Sequence, residues 1–245
     1  MREHWRDGEA NVWLAVFRAE NSSTMRHLTE FYGMDLEMPI DADYHECMHV
    51  IDGVLKHVFK GVQERNRREL DVVKTRFPYE DLVIPDETVV LKYPEGVQLL
   101  RESGYKKEDG SEVEDDEDFD TPTEKYLGKL VKEKYNTDYY ILDKFPTEVR
   151  PFYTMPDPED GKWSNSFDIF VRGQEILSGG QRIHDSKMLE NKMRAAGLEP
   201  SLLGEYTQAF KYGAPPHAGG GIGLERLVML MLSLGNIRHA SMFPR

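Results

Sequence analysis

Near its C-terminus the chain carries His217-Ala218-Gly219-Gly220-Gly221-Ile222-Gly223-Leu224-Glu225-Arg226, a glycine run that leads into a helix. This stretch restricts the fold more than any other. Leu224, Leu227, Val228, Met231 and Leu234 recur at helical spacing, so one face of the helix is core, and Gly235 supplies a stop signal. The glycines let the backbone come close to a partner. Arg226 stands one turn in as a fixed cation with planar donors. A glycine run, a helix start and an early arginine together point to a nucleotide phosphate or base. The other reading is a glycine-eased turn into a buried helix, and the motif alone does not separate the two. It is not a phosphate-cradling P-loop, because no Lys-Ser/Thr pair follows the glycines. Nor is it a dinucleotide fingerprint, because Arg226 stands where the third glycine belongs and no βαβ unit surrounds it.

A chain of 245 residues with 39% hydrophobic content can bury a large core, as one domain or two. Its charged start, Met1-Arg2-Glu3-His4-Trp5-Arg6-Asp7, is unlike a secretory signal. Its apolar runs fall far short of the roughly 18 residues of a membrane span. Cys47 is the only cysteine, which excludes internal disulfides and a cysteine cluster for zinc. A cytoplasmic location is expected. The net charge of −13 argues at first against nucleic acid, yet Glu108 to Asp120 holds nine acids and no base. That run reads as a solvated, mobile insertion near 105–120, and a basic patch elsewhere could still bind RNA.

Val12 to Glu20 and Arg26 to Glu37 read as two strands of a long antiparallel hairpin, with His27, Thr29 and Phe31 on one face of the return strand. Asp43 to about Arg76 reads as a helix with Val50, Val54, Val58 and Val62 as its apolar stripe. His45, Glu46 and His49 invite a metal reading, but no third ligand is apparent and a solvated helix face is preferred. Thr121-Pro122-Thr123-Glu124 reads as a capping box opening a helix to about Tyr135. Tyr139 to Leu142 and Arg150 to Thr154 read as strands.

Arg172-Gly173 can form a tight turn between two further strands. Phe170 then faces Glu175, and Asp168 lies diagonal to Glu175 on the same side. Two carboxylates on one sheet face would suit a hard cation, or form a like-charged pair; a solvated hairpin edge is the plainer alternative. Ser178 and Arg182 have the opposite parity to Glu175, and a bulge at Gly179-Gly180 could bring them round.

Phe17-Arg18-Ala19-Glu20 followed by Arg26-His27-Leu28-Thr29-Glu30-Phe31 resembles motif 2 of the class II aminoacyl-tRNA synthetases, and Gly219 to Arg226 resembles motif 3. Between them, Gly173 to Asp185 is similar to a segment typical of the aspartate-specific members, of eukaryotic cytosolic type. Arg150-Pro151-Phe152-Tyr153-Thr154-Met155-Pro156 and the closing Ser241 to Arg245 fit the same family. The resemblance implies an α+β fold, an antiparallel sheet flanked by helices, over residues 12–245. It implies ATP and L-aspartate as substrates, Mg²⁺ as cofactor and tRNA(Asp) as acceptor. By position it implies that Arg18 and Arg226 are catalytic. ATP would be bound by Arg18, Glu20, Arg26, His27, Leu28, Phe31, Glu175, Gly223, Leu224, Glu225 and Arg226. Aspartate would be bound by Arg18, Ser178 and Arg182, and the metal by Asp168 and Glu175.

Residues 1–11 do not resemble the family. The family's anticodon-binding domain, its motif 1 dimer interface and an upstream substrate-binding loop have no counterpart here. The expectation is the C-terminal part of a catalytic domain, truncated on its N-terminal side, from a family of homodimers. The alternative is a truncated, non-catalytic relative that binds ATP or a synthetase partner.

Overall fold

The computed structural model describes residues 10–19 and 24–245. In chain order the elements are β1 (Ala10–Phe17), β2 (Glu30–Pro39), α1 (His45–Arg65), α2 (Arg67–Arg76), β3 (Val89–Lys92), α3 (Tyr93–Glu102), α4 (Thr121–Tyr135), β4 (Tyr139–Asp143), β5 (Ser166–Val171), β6 (Gln174–Gln181), α5 (Ser186–Ala195), α6 (Gly204–Lys211), β7 (His217–Gly223) and α7 (Leu224–Met231). Among the described residues the strands form one sheet in the order β1-β2-β7-β6-β5-β4-β3. Its neighbours are antiparallel except for the parallel β3–β4 pair. This is the expected α+β architecture.

The two faces of the sheet are covered unequally, and that difference positions the cleft. On one face, Leu36, Ile141, Ile169, Leu177 and Ile222 share a core with Ile51, Leu55 and Phe59 of α1 and with Leu227 and Leu230 of α7. On the other face α3 and α4 cover β3, β4 and β5, where Leu91, Leu142 and Phe170 join Val97, Leu100, Leu127 and Val131. Every residue of β4 and β5 is therefore buried, as expected of strands sandwiched on both faces. Over β6, β7 and β2 this second face is an open cleft.

Several sequence expectations are corrected. The return strand of the first hairpin starts at Glu30, not Arg26, and pairs Phe17 with Glu30. His27 and Thr29 therefore lie in the connection. Glu20 lies outside the described residues. The predicted 43–76 helix is broken at Asn66 (φ −112°) into α1 and α2. The buried stripe of α1 is Cys47, Met48, Ile51, Leu55 and Phe59, while Val54 and Val58 are 36% and 37% exposed. Two apolar stripes compete there, and the one with larger side chains removes more area from water. His45 is not a solvated residue: its Nε2 lies 3.1 Å from the buried Asp143 carboxylate. Helix α4 is capped by Asp120, which accepts from the Thr123 N–H, rather than by Thr121. Arg150 to Thr154 is not a strand but a series of turns with one bridge, Thr154 to Arg182. The acidic stretch folds onto α3, with Val113 and Phe119 buried and Asp115 and Glu117 paired with Arg101 and Lys107.

Candidate active site

The β5–β6 hairpin turns through Arg172 and Gly173, whose φ angles are 51° and 68°. Two successive positive φ values match the twist of a tight two-residue hairpin. Phe170 faces Glu175 as predicted. The register then shifts, so that Ile169 pairs with Leu177 and Asp168 with Ser178. Ile176 is the extra residue of a bulge. The bulge thus lies before Ser178, not at Gly179-Gly180. It turns Ile176 and Leu177 both into the core and brings Ser178 onto the face of Asp168 and Glu175. The predicted diagonal between Asp168 and Glu175 is lengthened by one residue, but both carboxylates keep the same face.

On the far side, Glu37 of β2 pairs with Gly219 of β7, and Asp35 pairs with Gly221. A Cβ at Gly219 would stand 2.2 Å from Glu37 Cδ, and one at Gly221 would stand 2.7 Å from Asp35 Oδ1. These two glycines make room for acidic side chains of the neighbouring strand. The close approach inferred from the glycine run is therefore met within the protein. Helix α7 begins after the run, with Gly223 as its N-cap.

Arg18, Arg26, His27, Leu28, Phe31, Glu175, Ser178, Arg182, Gly223, Glu225 and Arg226 all line one cleft of about 420 Å³. Leu224 does not line it, and Asp168 sits beneath its floor, 5% exposed. The Arg18 guanidinium rests over the Phe31 ring at 5.3 Å. Arg226 lies 3.7 Å from the Glu175 carboxylate, and burial lowers its affinity for a proton. Glu225 points into the structure instead, accepting the Tyr32 N–H at 3.0–3.1 Å and so tying α7 to β2.

Three residues escaped the sequence reading of the site. Arg150 lies 2.8 Å from Asp168, donates to Ser178 Oγ at 2.9 Å and to Ser166 Oγ at 3.1 Å, and stacks on Phe145. Its only signal was its place in the Arg150-Pro151-Phe152-Tyr153 stretch. Glu124, read as a capping acid, turns inward and lies 3.2 Å from Arg26, which also donates to Thr121 Oγ1. Glu37 accepts two hydrogen bonds from Arg182.

Burial sets the electrostatics. It pushes the Glu124 carboxyl up to about 8 against the pull of Arg26. It also raises Asp168, with Arg150 opposing and the Glu175 charge adding to the rise. The buried Asp168 carboxyl thus has a second carboxylate, Glu175, close enough to raise its proton affinity. No cluster of three metal-ligating side chains exists among the described residues. A hard cation here would take two carboxylates and fill its remaining positions with phosphate or water oxygens, as magnesium does. Arg18, Arg26 and Arg226 face the same space and suit a polyphosphate. Arg182 and Ser178 at the other end suit a carboxylate.

The profile of the tRNA synthetases class II (D, K and N) matches residues 14–245. The chain is 54% identical over 230 residues to a cytoplasmic aspartate–tRNA ligase of Caenorhabditis elegans, covering 94% of this chain and 42% of that protein. It superposes on an aspartyl tRNA synthetase from Entamoeba histolytica with a TM-score of 0.91 at 49% identity, covering 97% of this chain and 48% of that one. An asparaginyl-tRNA synthetase from the same organism, in complex with asparaginyl-adenylate, gives 0.84 at 26% identity, covering 97% and 52%. The chain spans about half the length of these relatives or less.

Proposed function

The chain belongs to the class II tRNA synthetases (D, K and N), and from that premise we propose that its cleft is the amino-acid activation site of an aspartate–tRNA ligase. The observation that carries the reading is the convergence of Arg18 and Arg226, from opposite ends of the sequence, on one cleft with Glu175 and Arg182. In the first step a carboxylate oxygen of L-aspartate attacks the α-phosphorus of ATP. The bond to the β-phosphate breaks, leaving aspartyl-adenylate and pyrophosphate. In the second, a hydroxyl of the terminal adenosine of tRNA(Asp) attacks the aspartyl carbonyl and AMP leaves.

No side chain needs to act as a nucleophile, so positioning and charge carry the rate. Arg18 would meet the α-phosphate and the attacking carboxylate, gaining strength as negative charge builds there. Arg226 would lie against the adenine and the γ-phosphate, Phe31 beneath the adenine, and Arg26 and His27 along the triphosphate. Asp168 and Glu175 would hold Mg²⁺, which when bound neutralises phosphate charge. Arg182 would receive the side-chain carboxylate with Ser178 beside it. Asparagine would turn an amide NH₂ toward those donors, and an unmatched buried partner costs about 1–3 kcal/mol. The names of the cytoplasmic relatives support a cytoplasmic location. Pairing with a second synthetase chain is part of the same proposal.

Aspartate-dependent ATP–pyrophosphate exchange by this chain is the test. Exchange with asparagine instead would overturn the substrate assignment. Thermal stabilisation by ATP without exchange would leave the cleft a nucleotide-binding site alone.

A further inference from the structure

Arg26 stands between two cavities. One is the cleft already described. The other, of about 400 Å³, opens on its far side, and among the described residues Arg26 alone lines both. Helix α7 relates the two: Arg226 lines the first, while Met229 and Leu230, one turn further on, line the second. Strand β6 repeats the pattern, with Glu175 in the first and Gln174 in the second. Arg182 and Ser178 belong to the first cavity only. The second cavity therefore extends the end of the cleft proposed for the phosphates, away from the end proposed for the amino acid.

Its lining is basic. Arg26, Lys125 and Arg172 contribute to it and no carboxylate does, in a chain whose net charge is −13. Glu124 offsets Arg26 from behind, but Arg26 Nε is buried without a hydrogen-bond partner among the described residues. Arg172 is held by carbonyls, donating from Nε to Leu230 O at 3.0 Å and from Nη2 to Glu80 O at 2.5 Å. Carbonyls fix a guanidinium without cancelling its charge. Lys125 is exposed and forms no ion pair among the described residues. A concave surface with cations of one sign attracts a compact polyanion, and phosphate oxygens accept charge-assisted bonds from lysine and arginine.

We propose that this second cavity receives the pyrophosphate released when the adenylate forms; the proposal rests on the aspartate–tRNA ligase reading of the cleft. In that step the substrate carboxylate attacks the α-phosphorus from one side, and the bond to the bridging oxygen breaks on the other. The bridging oxygen and its electron pair leave with the pyrophosphate, and no proton moves. The leaving group thus travels away from Arg182 and toward Arg26. Because Arg26 faces both spaces, it can keep hold of a phosphate oxygen as the anion passes from one to the other. Lys125 and Arg172 then meet it on the far side, where it no longer faces the aspartyl-adenylate.

The test is calorimetric titration of inorganic pyrophosphate into the full chain saturated with α,β-methylene ATP, which fills the phosphate space of the first cavity and does not react. Pyrophosphate should still bind. Lys125→Ala should weaken it roughly tenfold. The same variant should hold the ATP analogue within about twofold of wild type, which also reports that it folds. Lys129→Ala, four residues on along the same helix and outside the cavity, should change neither. Absence of pyrophosphate binding to the saturated chain overturns the proposal. So does an equal effect of the two lysine variants, which would mark diffuse surface charge. Sulfate binding as tightly as pyrophosphate also overturns it, leaving only a general anion patch. If wild type does not bind the ATP analogue at all, the nucleotide reading itself fails and the leaving-group assignment falls with it.

Discussion

Glu124 Oε2 lies 3.2 Å from Nη2 of Arg26, behind the side of the guanidinium that faces the cleft. A helix-opening residue thus anchors an arginine of the connection between β1 and β2. Its carboxyl titrates at about 8 in the folded chain against an ordinary 4.5. Between those values the folded chain holds a proton that the unfolded chain has released. The group therefore costs stability increasingly as pH rises from 4.5 toward 8. Glu124→Gln should remove this slope: relative to wild type, the variant should gain on the order of 3 kcal/mol between pH 5 and pH 8. Urea unfolding of both proteins at the two pH values measures it. Parallel pH dependences would show that Arg26 keeps Glu124 ionised throughout.

Arg150 joins the two ends of the cleft, proposed for the metal and for the amino acid, since it touches both Asp168 and Ser178. Arg150→Met should cost about 3 kcal/mol by leaving Asp168 buried without its counter-ion. Adding Asp168→Asn should recover part of that loss. Denaturant unfolding of the two single variants and the double variant gives the coupling energy, and additive losses would count against the pair.

The glycine strand permits a graded prediction. A Cβ at Gly219 would stand 2.2 Å from the Leu36 carbonyl oxygen, so backbone must move. At Gly221 it would meet only the end of the Asp35 side chain at 2.7 Å, and at Gly223 only Arg226 Cβ at 3.8 Å. Alanine should cost about 3 kcal/mol or prevent folding at 219, about 1 at 221, and under about 0.5 at 223. Thermal melts of the three variants should keep that order.

How much of this was legible in the chain depends on the range of the forces involved. The turn at Arg172-Gly173 and the Phe170–Glu175 pairing follow from local turn chemistry, and they were read correctly. The bulge at Ile176 was misplaced, although a signal existed. Ile176 and Leu177 are adjacent apolar residues in a strand with one open face, and strict alternation cannot bury both. The stripe of α1 was misread because helical spacing alone does not rank two apolar faces. The meeting of Arg18 and Arg226 came from resemblance, since no periodicity relates positions so far apart. Arg150 is marked only by the stretch it opens, Glu124 only as a residue of a helix start, and Glu37 by nothing local. Their partners lie on other elements, so their work appears only once the sheet is assembled.

The proposed division of the cleft into a polyphosphate end and a carboxylate end predicts separable defects. Arg226 and Glu175 lie within 3.7 Å of each other, so a cation and an anion of the protein share the space assigned to the phosphates and their metal. Arg226→Ala removes charge-assisted donors and should weaken ATP by about 2 kcal/mol, roughly 30-fold, with adenosine much less affected. Glu175→Gln should act in a different way. It removes a negative charge beside the triphosphate, so ATP without metal should bind at least as well as to wild type. The gain in ATP affinity on adding Mg²⁺ should shrink, because one of two carboxylate ligands is lost. Titrating ATP with and without Mg²⁺ against both variants checks this. If Glu175→Gln keeps the full magnesium increment, the metal is held elsewhere. If Arg226→Ala weakens adenosine as much as ATP, Arg226 serves the base and not the phosphates.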